Sequence, residues 1–256
     1  MPADATKVIT SLRERLSHLL QDQMVGLYLC GSIVYGCFNP HTSDVDFTCV
    51  IKQPLTSVQR LRIRQLFDEL RGQGRYGNAL EGTFPVQGRM NECESALVAD
   101  RVRHGEFDPD SRYEKWPLER HELHEMGLRL SGPEPQRLFA PSQWPAIQRA
   151  MVSELLDMVS LVRARPTPLQ RLQAVLNACR VLYGLRHRRL ASKLVGLEWA
   201  FHTFPEAWQD LLERAHSIYT GLASLTPNSF NPEHVWAFCS WAVNTLPQDM
   251  YARRRS

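Results

Sequence analysis

The stretch LYLCGSIVYGCFNPHTSDVDFTCVI, residues 27–51, holds an apolar strand that runs into Gly31-Ser32, a loop, and a second apolar strand carrying Asp44 and Asp46. Alternate residues of a strand project to one face, so the two carboxylates point the same way while Val45 and Phe47 enter a core. Like charges that close repel each other, and burial raises the cost. A bound cation offsets both. Two hard oxygen ligands that leave positions for water and phosphate oxygens suit Mg2+. Glycine at position 31 lets the backbone turn sharply or approach a ligand closely. The amides after it, together with the Ser32 hydroxyl, can hold phosphate oxygens.

A third carboxylate, Glu81, lies in NALEGTFPV (78–86), another apolar strand where a charge is out of place. If that strand pairs beside the Asp44–Asp46 strand, Glu81 faces the same cleft and can take a proton from an attacking hydroxyl. Each feature alone has a plainer reading. Gly-Ser after a strand is usually a turn, Asp-x-Asp is often an exposed edge, and Glu81 by itself suits a solvent-facing strand position. In this order, each in a strand context, the three describe metal-assisted attack on a phosphorus.

The rest of the chain is ordinary for a globular protein: of 256 residues, 43% are hydrophobic and 22% charged, enough for one large or two smaller domains. A net charge of +3 lacks the basic excess of a dedicated nucleic-acid binder, so no nucleic-acid partner is expected. The six cysteines form no CxxC pair and no zinc-type spacing, which reads as reduced thiols in a cytoplasm. The first residues have no apolar run of the signal-peptide kind, and no stretch is long enough to cross a bilayer.

Helical spacing is predicted over 5–22 and 57–72, with strands at 25–30, 44–51 and 78–86. Helix between strands is the pattern of an α/β unit. Residues 86–135 are polar and hard to read, apart from a helix near 117–128 and a short strand in GLRLSGPEP. After FAPSQWP four helical patterns follow, at 143–164, 168–186, 204–221 and 232–246, separated by proline-bearing or basic turns. The expected organisation is an α/β domain over 1–140, with a mixed sheet, and an α-helical bundle domain over 141–256.

GSIVYGCFNPHTSDVDF resembles the first motif of the nucleotidyltransferase superfamily related to polymerase β. More closely, it is similar, with one extra loop residue, to the aminoglycoside adenylyltransferases that modify streptomycin and spectinomycin. ALEGTF resembles that family's base-carrying strand, and HGEF (104–107) a short motif ending in an aromatic residue. NACRVLYGLRHRRLASKLVGLEWA (177–200) and ERAHSIYTG (213–221) resemble helical segments that contact the nucleotide. The likeness spans residues 25 to about 245. It implies transfer of AMP from MgATP to a hydroxyl of a small cationic antibiotic, by a monomer. Asp44 and Asp46 would hold Mg2+ and Glu81 would be the base. Gly31 and Ser32, with Arg180, Lys193 and Tyr219 from the second domain, would grip the ATP, and Phe107 would line the antibiotic site.

The chain departs from the streptomycin-accepting members. The loop LVRARPTPLQR has neither the Trp nor the Asp found there, and Gln170 stands where a further carboxylate is expected. Spectinomycin is therefore the expected acceptor ahead of streptomycin. The alternatives are another acceptor (a protein, a tRNA or a different small molecule) or a non-catalytic nucleotide-binding regulator. RHELHEMG places His121 and His124 three apart, whereas a zincin helix needs i and i+4, so no metal is expected there.

Overall fold

Helix α1 (Ala3–Leu20) turns Val8, Ile9, Leu12 and Leu16 inward at the spacing its sequence prescribes. The computed structural model describes residues 1–164 and 166–247, and the chain divides into two units, Met1–Ala146 and Ile147–Ser256. In the first unit α1 is followed by β1 (Met24–Leu29), β2 (Val45–Ile51), α2 (Ser57–Arg71), α3 (Arg75–Asn78), β3 (Leu80–Phe84) and α4 (Gln87–Met90). Then come β4 (Leu97–Arg103), β5 (Glu106–Tyr113), α5 (Trp116–Met126), β6 (Leu128–Ser131) and α6 (Pro135–Leu138).

The strands form one mixed sheet in the order β5-β4-β3-β2-β1-β6. β2 and β3 are parallel, joined by the crossover through α2, and the other neighbouring pairs are antiparallel. Helix α2 starts at a reciprocal cap: the Thr56 hydroxyl accepts the Gln59 N–H while the Gln59 side chain accepts the Thr56 N–H. Its Ile63, Leu66, Phe67 and Leu70 are buried.

The alternation of each strand sorts side chains between the sheet's two faces. On one face Leu27, Leu29, Val45, Phe47, Leu80, Phe84 and Val102 pack with α1 and α2. Gly82 leaves room there for Phe47, whose ring would lie 2.1 Å from a Cβ at that position. On the other face Tyr28, Cys30, Val50, Leu97 and Ala99 pack with Trp116 and Leu123 of α5 and with Leu138 and Phe139. This second face also carries Asp46 and Glu81.

The stretch that was hard to read holds a two-strand hairpin. β4 and β5 are joined through His104 and Gly105, both at positive φ (51° and 72°), the geometry of a tight hairpin turn. The turn is pinned to β3 by the Gly105 N–H, which donates to the Leu80 carbonyl at 2.9 Å. Arg120, fully buried, orders the segment before β4 by donating to the carbonyls of Met90, Asn91 and Cys93 and to Glu94.

The second unit is helical: α7 (Trp144–Arg163, opening just before the division), α8 (Pro168–His187), α9 (Lys193–Thr203), α10 (Gln209–Tyr219) and α11 (Pro232–Asn244). Helix α9 corrects the expectation of four helical patterns. Leu194, Val195, Leu197, Trp199 and Phe201 surround it instead of marking one stripe, so no amphipathic period shows in its sequence. Gly196 brings it onto α8, since a Cβ there would lie 2.5 Å from the Arg180 Cα. Among the described residues no helix is long and apolar enough to cross a membrane.

Candidate active site

The parallel ladder sets Asp46 of β2 directly beside Glu81 of β3. Residues so paired lie about 4.8 Å apart across the ladder and point to the same face. Asp44 precedes β2 by one residue and is half-buried. The turn that follows β1 is pressed onto this pair. Gly31 has φ +66°, and a Cβ there would lie 2.1 Å from Oδ2 of Asp46. Glycine is thus required twice over, by its left-handed backbone and by the carboxylate that occupies the space a side chain would fill. The Cys30 N–H donates to the Asp46 carbonyl at 3.1 Å, tying the end of β1 to the same residue. Gly31–Ile33 then forms one 3-10 turn, in which Ser32 Oγ is buried and has no hydrogen-bond partner among the described residues.

Helix α5 lays two more carboxylates against this face. Glu122 accepts the Gly31 N–H on Oε1 and a hydrogen bond of 3.4 Å from the Tyr35 hydroxyl on Oε2. Glu119 accepts from Thr48 Oγ1 at 2.7 Å and from the Tyr113 hydroxyl at 2.6 Å. His104, exposed at the hairpin turn, places Nδ1 3.2 Å from Oε1 of Glu81. Arg101 of β4 lies over the Tyr113 ring at 3.8 Å.

This crowding of acids has electrostatic consequences. Burial holds the Asp46 carboxyl well above the usual carboxylate range, and Glu81, Asp44, Glu122 and Glu119 add to the effect in that order. Burial also raises Glu119, against the pull of its hydrogen bonds from Tyr113 and Thr48. The Cys30 thiol is pushed up by burial and then by Glu119, Asp46 and Glu122. Such a face suits a cation, and Asp44 with Asp46 offers a hard oxygen pair of the kind that fits Mg2+. Among the described residues no three His, Cys, Asp or Glu side chains are gathered into a complete metal cage. A Mg2+ held here would take its remaining ligands from water and phosphate oxygens.

The first unit therefore brings together Gly31, Ser32, Asp46 and Glu81, with Asp44 adjacent in sequence. The Gly31 amide is engaged by Glu122, and the Ser32 hydroxyl is a buried donor that lacks a partner among the described residues. Phe107 is not on this face. Its register partner is Val102, and its ring packs edge-on against Phe84 at 6.3 Å on the side covered by α1 and α2. The strand's parity thus turns Phe107 to the sheet face opposite Asp46 and Glu81, so the structure does not bring it together with those carboxylates.

In the second unit Arg180 of α8 donates to Glu154 of α7 at 2.8 Å, and Glu154 is buried. Lys193 opens α9 one turn before Gly196, the residue that meets the Arg180 backbone, so those two cations stand on adjoining helices. Tyr219 is buried at the end of α10. Gln170 is committed to the start of α8, where it and Thr167 cap each other.

Sequence reasoning missed Glu119 and Glu122. Their signal was present: they are three residues apart on the helix face that also carries Trp116 and Leu123, an apolar stripe interrupted by acids.

Residues 138–245 match the family described as aminoglycoside adenylyltransferase, C-terminal domain. Over those residues the chain is similar to that family's C-terminal domain. The fold agrees over nearly the whole length with the crystal structure of spectinomycin adenyltransferase AAD(9) from Enterococcus faecialis with ATP and spectinomycin. The TM-score is 0.77 at 16% identity, over 93% of this chain and 99% of that one. The chain thus shares the fold of that structure, a mixed-sheet unit followed by helices.

Proposed function

We propose that this protein transfers the AMP group of MgATP to a hydroxyl of a small cationic antibiotic of the aminoglycoside and aminocyclitol class, with spectinomycin preferred to streptomycin. The observation that carries this reading is the register of β2 and β3, which sets Asp46 beside Glu81 with the Gly31 turn packed on the Asp46 carboxylate. Asp44 and Asp46 are assigned to Mg2+, which when bound neutralises charge on the triphosphate and orients it. Glu81 accepts the proton of the acceptor hydroxyl. The hydroxyl oxygen then bonds to the α-phosphorus, the bond from that phosphorus to the bridging oxygen breaks, and pyrophosphate leaves. The Ser32 hydroxyl donates to a phosphate oxygen. Arg180, Lys193 and Tyr219 are assigned to the nucleotide on the likeness of their segments to the family's.

A surface of converging carboxylates favours a cationic acceptor. The preference against streptomycin is supported by the loop before α8, which brings arginines where an acid is expected, and by Gln170, whose side chain caps its own helix. Six free thiols suit a cytoplasmic enzyme, and we assign a monomer. The test is pyrophosphate release from MgATP by purified protein against spectinomycin, streptomycin and kanamycin-type aminoglycosides. Release with spectinomycin alone is expected. Release with none of them, in a protein that binds ATP, overturns the antibiotic assignment.

A further inference from the structure

We infer that Glu122 is a positioning residue of the transfer reaction: it locks the Gly31–Ser32 turn against Asp46, so that the metal carboxylate and the Ser32 hydroxyl are presented in register. The inference rests on the reading of the site given above. Three observations carry it. Glu122 lies on α5, an element separate from the strands that bear Asp46 and Glu81, and is 9% exposed. Its carboxylate spans the turn, taking the Gly31 N–H on one oxygen and the Tyr35 hydroxyl on the other. The residue it grips at the first of these points is the one whose Cβ position lies against Oδ2 of Asp46.

A further negative charge beside Asp46 and Glu81 is unfavourable, and the two donors that Glu122 accepts from offset that cost. What the carboxylate supplies is two acceptor oxygens facing two donors, the Gly31 N–H closely and the Tyr35 hydroxyl at 3.4 Å, and a charged acceptor strengthens a bond over a neutral one. A turn held in this way keeps its fixed close approach to the Asp46 carboxylate. A displacement of about 1 Å at a reacting group lowers turnover on the order of 100-fold.

The two roles open to Glu122, holding the turn or binding the cation, are separated by Glu122→Gln and Glu122→Ala. Glutamine keeps an acceptor for the Gly31 N–H, and the Tyr35 hydroxyl can reverse to accept from the amide, so the turn survives without the charge. Amide hydrogen exchange at Gly31, followed by NMR on the metal-free protein, reads the bond without any turnover. Mn2+ binding, followed by electron paramagnetic resonance, reads the carboxylate site. Glu122→Ala is expected to speed Gly31 exchange at least about tenfold, weaken Mn2+ binding and lower kcat about 100-fold, with KM for ATP within about threefold of wild type. Glu122→Gln is expected to restore exchange protection, Mn2+ binding and most of kcat. Should Glu122→Ala fail to fold, Glu122→Gln and Tyr35→Phe carry the same readouts.

The inference is overturned if Gly31 exchange is unchanged in Glu122→Ala. It is also overturned if Glu122→Gln weakens Mn2+ binding while Gly31 remains protected, because the charge and not the turn then matters. If wild-type protein releases no pyrophosphate with any acceptor, the proposed function fails, and the exchange and Mn2+ measurements still decide the role of Glu122.

Discussion

Replacing Gly31 with alanine tests the coupling between the turn and Asp46, the carboxylate we assign to Mg2+. The added methyl would lie 2.1 Å from Oδ2 and 2.8 Å from Cγ of Asp46. Non-bonded carbon and oxygen do not approach so closely, and one of the two groups must retreat by about 1 Å, enough to lower turnover on the order of 100-fold. A non-glycine residue at φ +66° also costs about 1–2 kcal/mol of stability, or about 2–8 °C in Tm for a chain of this size. Gly36 supplies the control, because it shares φ +66° but a Cβ there meets nothing within 4 Å. Gly36→Ala should lose similar stability and keep its turnover, whereas Gly31→Ala should lose both. The assays are pyrophosphate release across a MgCl2 titration and thermal melting of both variants. Wild-type kcat and an unchanged Mg2+ requirement in folded Gly31→Ala would refute the packing of this turn on Asp46 as a source of function.

Three further outcomes follow from the same geometry. Glu81→Gln should bind ATP with unchanged affinity by calorimetry and lose about 10²–10⁴-fold in turnover, since the hydroxyl proton has lost its acceptor; normal turnover would place the base elsewhere. The raised Asp46 carboxyl binds a proton more readily in the folded than in the unfolded chain, so its ionisation opposes folding. That penalty is absent below the unfolded pKa of about 4 and grows as pH rises towards the folded value. Metal-free wild type should therefore lose stability relative to Asp46→Asn as pH rises from about 4, and Mg2+ should narrow the gap. Parallel stability profiles for the two proteins in denaturant melts would sink this account. Gly82→Ala puts a methyl 2.1 Å from the Phe47 ring and should cost about 1–3 kcal/mol in urea unfolding, with lowered turnover because Asp46 and Glu81 flank the strained contact.

Much of the site could be read from local pattern because charge is conspicuous in an apolar strand. Asp46 and Glu81 stand out against Val45, Phe47, Leu80 and Phe84, and the turn residues Gly31 and Ser32 mark the end of β1. Helices α1, α2, α8 and α11 show their apolar stripes or their caps, and the caps at Thr56 and Thr167 are local devices that need no distant partner. The hairpin β4–β5 was illegible for the opposite reason. β5 is largely exposed, and the segment before β4 is ordered by Arg120, a residue of a later helix that gathers three carbonyls. No local period records such a bond.

The sequence by itself singled out the candidate residues, since Asp44, Asp46 and Glu81 interrupt otherwise apolar segments and the alternation of each strand fixes which side chains share a face within it. Only the tertiary structure decided what surrounds them. The β2–β3 register made Asp46 and Glu81 neighbours, the docking of α5 on the sheet brought Glu119 and Glu122 to them, and the parity of β5 turned Phe107 to the opposite face. Strand alternation is local and written every second residue. Register and helix docking are set by packing between segments far apart in the chain, and a one-residue slip in either moves a side chain to the other face.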